Sequence, residues 1–381
     1  MLKFAALPWF FMLALATPAL AVPFVPDADS QILERLPDRS AVEYRDLKRL
    51  RAVAESEPGD VNAATALADA YYRISRREGD PRYLGYAQAA LAAWWKDADA
   101  PTAVLVTRAT LRQSSHEFTA ALADLGKAIG RDPANARALL VRATVLAVVG
   151  RFRESEDDCG KLLGLTQDAY VLICVASVEA VTGQARQAKA ALEQSLDGTT
   201  PDARAWIESL LGEIGQRQGD AAAELHFRAA LAADPLDLYT LGAYCDWLLE
   251  RQRPADAIPL VADQQRVDGL LLRLGLAQNA LALPEAEATV AILRARFDAS
   301  RRRGDTVHRR EEARFQLLLN GDAAEALRLA RDNWNVQREP ADLRILAETA
   351  RANGDAEALQ TVRQWLADTH LEYPAVAELV K

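Results

Sequence analysis

His308, Glu311 and Glu312 stand at i, i+3 and i+4 in RRRGDTVHRREEARF, residues 301–315. On one helix face that spacing presents an imidazole and two carboxylates to a single metal ion. Arg309, Arg310 and Arg314 are interleaved with them, so exposed ion pairing is the competing outcome, and no metal is expected. The four histidines, His116, His226, His308 and His370, fall in separate segments. There is no phosphate-cradling glycine loop, HExxH, nucleophile elbow or paired-cysteine box. Neither an enzyme nor a cofactor is expected. The Arg-Gly-Asp at 303–305 reads as a turn in which Gly304 ends one helix and Asp305 or Thr306 caps the next. Glu311 and Glu312 then lie in early turns, where the helix dipole favours them.

A second dense stretch is GDPRYLGYAQAALAAWWKD, residues 79–97. Read as a helix over 81–96, it places Tyr83, Ala87, Leu91 and Trp94 on one stripe and Tyr86, Ala90 and Trp95 on its neighbour. Packing explains both stripes, one against its own hairpin and one against a leading helix at 40–56. Adjacent tryptophans point about 100° apart on a helix, which leaves Trp95 as the one offered to a partner.

The elements that must position these residues are helical. Half of the 381 residues are hydrophobic. Alanine, leucine and arginine dominate, and β-branched runs are scarce. A net charge of −9 argues against a nucleic-acid binder, and no lysine block suits an anionic lipid surface. At the start, Lys3 precedes FAALPWFFMLALATPALA, and Ala19-Leu20-Ala21 forms an A-x-A site. A signal peptide over 1–21, cleaved between Ala21 and Val22, is expected, and with it a periplasmic location. No cysteine follows the apolar stretch, so a lipoprotein is not expected, and no later segment is apolar enough to span a membrane. Residues 22–39 are Pro-rich and read as extended.

From residue 40 onward, short Gly, Asp and Pro signals such as REGDP, RDPAN, RQGD and ADPLD break an otherwise helical pattern. The breaks repeat in register. Ala109 leads to Ala121, Leu125, Ala128 and Pro133, and Leu211 leads at the same offsets to Ala223, Phe227, Ala230 and Pro235. Ala143 leads to Ser155, Cys159 and Leu162, and Ala176 leads to Ala188, Leu192 and Ser195. Cys245 leads to Ala257 and Val261, and Arg314 leads to Ala326 and Ala330. Most of these frames advance by roughly 34 residues. The pattern resembles the tetratricopeptide repeat family, most clearly over 101–262, divergently over 263–381 and weakest over 267–303. Small residues let paired helices approach, a large one fills the gap to the next hairpin, and proline stops the second helix. Arg108 and Arg142 depart from the family by standing where leucine is common, and Pro259 lies inside a second helix.

The resemblance implies an all-α, right-handed superhelical solenoid of about nine stacked hairpins over 40–381, with the first helix of each hairpin lining a concave groove. By the repeat frame that groove includes Thr107, Thr110, Gln113, Ser114, Arg137, Thr144, Tyr170, Ser177, Glu208, Tyr239 and Asp246. In such a stack the helices bearing Cys159 and Cys174 are neighbours, so a disulfide between them is feasible, and Cys245 is expected as a buried free thiol. The function this favours is a scaffold or assembly factor that binds an envelope protein or peptide segment in the groove. The alternative is a small-ligand or saccharide binder using Tyr83, Tyr86, Trp94 or Trp95.

Overall fold

The computed structural model describes residues 42–381 together with Ala28 and Ser30. The expected signal peptide, and the extended segment over 22–39 apart from those two residues, lie outside the described residues. A leading helix, α1 (Val42–Ser56), precedes nine helix pairs. They are α2 (Val61–Glu78) with α3 (Arg82–Ala90), α4 (Thr102–Ser114) with α5 (Phe118–Arg131), and α6 (Ala136–Val148) with α7 (Phe152–Lys161). Next come α8 (Asp168–Glu179) with α9 (Ala185–Ser195), α10 (Pro201–Gln218) with α11 (Ala223–Ala233), and α12 (Leu238–Glu250) with α13 (Pro254–Val261). Then follow α14 (Asp268–Ala280) with α15 (Ala286–Arg303), α16 (Arg309–Phe315) with α17 (Ala323–Trp334), and α18 (Pro340–Asn353) with α19 (Ala356–Thr369). A short α20 (Pro374–Leu379) closes the chain, and a π-helical turn over Gln316–Asn320 prolongs α16. No strand occurs among the described residues.

Several helices begin where the sequence signals a start. Asp60, Asn135, Asp237, Asp322 and Asp355 accept amide hydrogens in the first turns of α2, α6, α12, α17 and α19. Alanines of the repeat frame, among them Ala109, Ala121, Ala143, Ala176 and Ala188, are buried where paired helices cross. At Gly212 a Cβ would stand 2.6 Å from the Phe227 ring, so the largest core side chain of that hairpin needs the missing atom opposite it. Even-numbered helices touch the next even-numbered helix from α2 to α20. The first helices therefore line the inside of an all-α solenoid and the second helices its outside.

Two local expectations are corrected. The helix read over 81–96 stops at Ala90, and Leu91–Lys96 continues as turns with i→i−3 hydrogen bonds. Arg108 supplies the reason, because its Nη1 donates to the carbonyls of Trp94 at 2.7 Å and of Trp95 and Asp97 at 2.9 Å. Second, α16 has His308 at its N-cap with no side-chain cap, and Asp305 turns instead to the Val307 amide at 3.0 Å.

The superhelix winds tightly enough for successive turns to meet. The Arg338 amide donates to the Val148 carbonyl at 2.7 Å, and Trp365 packs against Phe152 with ring centroids 5.9 Å apart. Farther along, Gln218 donates to Glu372 at 2.9 Å, and Arg344 pairs with Glu250. At the other edge Arg266 lies 3.7 Å from Glu78. The inner face is consequently a channel.

Candidate functional site

Helix periodicity carries one stripe of α10 and one of α12 into that channel. Trp206, Leu210, Glu213 and Arg217 stand at i, i+4, i+7 and i+11, and Tyr239, Ala243, Asp246 and Glu250 repeat the same spacing one repeat later. Each stripe opens with an aromatic ring and follows it with a carboxylate. Trp206 is 43% exposed and Tyr239 53% exposed. Protein nonetheless surrounds Tyr239, and burial raises its hydroxyl well above the ordinary value. Its accessible surface thus faces an enclosed channel rather than bulk solvent. The hydroxyl donates to Glu213, and the neighbouring Thr240 hydroxyl, which donates to Asp237 at 2.5 Å, is hydrogen-bonded with the Ser209 hydroxyl at 2.8 Å, which fixes the ring along α10.

Arg310 is a charged hub where the N-terminal ends of α16 and α18 meet. It lies 3.1 Å from Glu339, 3.3 Å from Asp342 and 3.3 Å from its neighbour Glu311. Desolvation would raise the Glu311 carboxyl, but Arg310 reverses this and holds it down at about 2. For Glu339 desolvation and the Asp342 charge outweigh Arg310, and the carboxyl rises to about 7. Deeper in the channel Asp246 is shared by Arg273 at 2.5 Å and Arg314 at 2.9 Å, and burial alone would raise it, yet these two arginines bring it below the ordinary value. Glu213 differs: among the described residues no cation comes within ion-pair distance of it, and burial lifts its carboxyl above the usual range.

The sequence-derived groove residues separate into distinct groups. Tyr239 and Asp246 line the channel as above. Arg137 reaches across α4 to Asp69 of α2, with two hydrogen bonds at 2.6 and 2.7 Å. It borders a cavity of about 250 Å³ with Thr65, Val106, Thr107 and Asn135. Thr107 and Thr110 are buried. The Thr110, Ser114, Thr144 and Ser177 hydroxyls all donate back to the carbonyl four residues earlier in their own helices. Gln113 is part-exposed near the end of α4. Glu208 is buried against His226 of α11 at 2.8 Å, inside its hairpin. Tyr170 meets Trp206 with centroids 6.4 Å apart. Trp206 was missed by the repeat frame because its neighbours Glu208 and Leu211 anchored the register of α10, whereas the i, i+4, i+7 stripe ending in Arg217 would have found it.

The aromatic-rich first hairpin is a packed end. Tyr71, Tyr83 and Tyr86 pack at tilted and edge-on angles with centroids between 5.5 and 6.2 Å, and Arg51 donates to the Tyr71 hydroxyl. Trp95 is half-buried beneath the Arg112 guanidinium, 5.5 Å from its centroid. Cys159 and Cys174 are joined by a disulfide with Cα atoms 5.6 Å apart, tying α7 to α8. Cys245 is a buried free thiol, pushed up to about 12 by burial.

Two histidines come closer than their sequence positions suggest. His116, in the α4–α5 turn, is within electrostatic reach of His308, Arg310, Glu311 and Asp342. Burial lowers its pKa, and its ring stacks on Phe118 at 5.3 Å. Asp342 is already engaged by Arg310, Asn333, Gln337 and the Glu339 amide. Among the described residues, His308, Glu311 and Glu312 form no metal-holding group, and Glu312 pairs with Arg301 instead.

No protein-family model matches the chain, and no curated protein does. Solved structures resemble it at low identity. A tetratricopeptide repeat protein from Parabacteroides merdae shares 14% identity over 73% of this chain and 98% of its own, with a TM-score of 0.38. Human IFIT1, solved as a dimer with m7Gppp-AAAA, shares 13% over 88% of this chain and 85% of its own, with a TM-score of 0.49. Yeast Tom70 shares 11% over 89% of this chain and 91% of its own, with a TM-score of 0.37. The likeness is one of fold.

Proposed function

We propose that this tetratricopeptide-like solenoid is a non-catalytic scaffold or assembly factor of the bacterial periplasm that receives a segment of another envelope protein along its inner helices. One observation carries the reading: exposed rings at equivalent positions of α10 and α12 lead into a channel whose walls are held by ion pairs. Exposed tryptophan and tyrosine on a rigid wall are the residue types that anchor partners. An exported location is supported by the A-x-A site ending at Ala21 and by the Cys159–Cys174 disulfide, a bond that persists in oxidising compartments. A binding role is supported over catalysis by the engaged state of the channel carboxylates around His116.

Site-specific photocrosslinking in the intact cell tests this. A crosslinker replacing Tyr170 or Gln113 on the inner helices should yield one discrete protein adduct. The same group replacing Leu225, which is 71% exposed on the outer helix α11, should yield none. Equal labelling from inner and outer positions, or silence from both inner positions in the folded protein, overturns the scaffold reading.

A further inference from the structure

Resting on that scaffold reading, we infer that the partner segment presents a lysine or arginine side chain to the channel rim, where it lies against Trp206 and Tyr239 with its charge on Glu213. The rings supply the first requirement. They stand at equivalent positions of adjacent inner helices, and both keep large exposed faces. A cation held near an aromatic face is attracted by the ring quadrupole, most strongly for tryptophan and when water is excluded. An occupant that covers both rings would displace the water from them and so meet that condition.

Charge complementarity fixes the sign of the occupant. Asp246, one repeat after Glu213 on the matching stripe, is neutralised by Arg273 and Arg314. Glu213 accepts a hydrogen bond from the Tyr239 hydroxyl, and Arg217 and Arg310 act on it electrostatically without forming an ion pair. Close by, a single guanidinium, that of Arg310, serves Glu311, Glu339 and Asp342 together. The walls next to Tyr239 therefore set four carboxylates, Glu213, Glu311, Glu339 and Asp342, against two guanidinium groups, Arg217 and Arg310. A purely apolar segment would leave Glu213 desolvated without an ion pair, and an acidic one would meet the carboxylate excess. A basic side chain satisfies both, its aliphatic stem covering the rings and its head reaching the carboxylate.

Fluorescence anisotropy with a short fluorescein-labelled peptide of alternating lysine and proline, against a glutamate–proline counterpart, tests the inference on the full chain. The lysine peptide should bind saturably and lose affinity as salt is raised, and the glutamate peptide should not bind. Trp206→Ala and Glu213→Gln should each weaken binding by about tenfold, while Leu225→Ala leaves it unchanged. Trp206 is exposed, and glutamine still accepts the Tyr239 hydrogen bond, so both variants should melt with the parent protein, which thermal unfolding verifies. Equal binding of the two peptides, or unaltered affinity in Glu213→Gln, sinks the inference. A partner adduct from Tyr170 together with failure of the lysine peptide removes this inference alone, whereas loss of the adduct removes the scaffold reading as well.

Discussion

Arg108 is only 2% exposed, and its guanidinium is saturated. Nε and Nη2 donate to the Asp124 carboxylate at 2.8 and 2.7 Å, and Nη1 donates to three carbonyls in the turns after α3. One repeat later Arg142 makes the same fork with Asp158, at 2.6 and 2.7 Å. Two hairpins thus carry an arginine–aspartate pair at the same register, fully buried in the first and with Arg142 part-exposed in the second. Arg108→Leu should cost about 3 kcal/mol, because it leaves main-chain carbonyls unpaired and Asp124 with Arg112 alone. Adding Asp124→Leu should recover part of that loss, since an apolar pair of similar volume is often tolerated where a lone charge is not. Denaturant unfolding of the single and double variants measures both, and no recovery in the double would mean that the carbonyls, not the charge, dominate.

Among the elements, the α7–α8 junction differs from every other because it is covalently fixed. The disulfide closes a separation of 15 residues and sits in a small core with Leu139, Ala143, Leu162 and Val171. Restricting a loop of that length in the unfolded chain is worth ~3 kcal/mol. Replacing both cysteines by serine, or reducing the native protein, should lower stability by about 2–4 kcal/mol and leave the helix content of the folded state unchanged. Calorimetry with and without reductant checks this, and an unshifted transition would show that the bond adds nothing the packing does not already hold. The first hairpin makes a different point about elements. Its aromatic density fills the end of the stack beneath α1, with the Tyr44 and Tyr83 hydroxyls 3.4 Å apart. Packing against a covering helix accounts for Tyr71 and Tyr83, while Tyr86 stays half exposed.

For the whole molecule the decisive feature is the meeting of superhelical turns through glycines. Gly150 and Gly183 both adopt left-handed φ in hairpin turns. A Cβ at Gly150 would stand 2.5 Å from the Trp365 ring, and one at Gly183 would stand 2.7 Å from the His370 Cβ. Gly164 has the same left-handed φ but open space around it. Gly150→Ala and Gly164→Ala therefore share a backbone cost of roughly 1–2 kcal/mol and differ only in what the methyl meets. Gly150→Ala should lose a further 1–3 kcal/mol, as a rough overpacking cost, and should enlarge the radius of gyration in small-angle X-ray scattering, while Gly164→Ala keeps the parent envelope. Identical envelopes for the two would show that the turns do not depend on this contact.

The sequence by itself determined the helical hairpins and their repeat. Helix periodicity, small residues at crossings and capping aspartates act within one or two hairpins, so neighbouring residues carry the whole signal. It also put Cys159 and Cys174 on adjacent helices and Tyr239 and Asp246 on the inner face. Tertiary structure alone decided which inner residues remain available. Thr107 and Glu208 share the repeat frame of their neighbours, yet one is buried and the other is turned to His226. The early end of α3 depends on Arg108, a residue of the next hairpin. The channel itself depends on residues as far apart as Val148 and Arg338. Curvature accumulates from small angles between every pair of hairpins, and no local pattern records their sum. Whether successive turns touch, and so whether Glu213 faces open water or a closed wall, is fixed only when the whole superhelix is assembled.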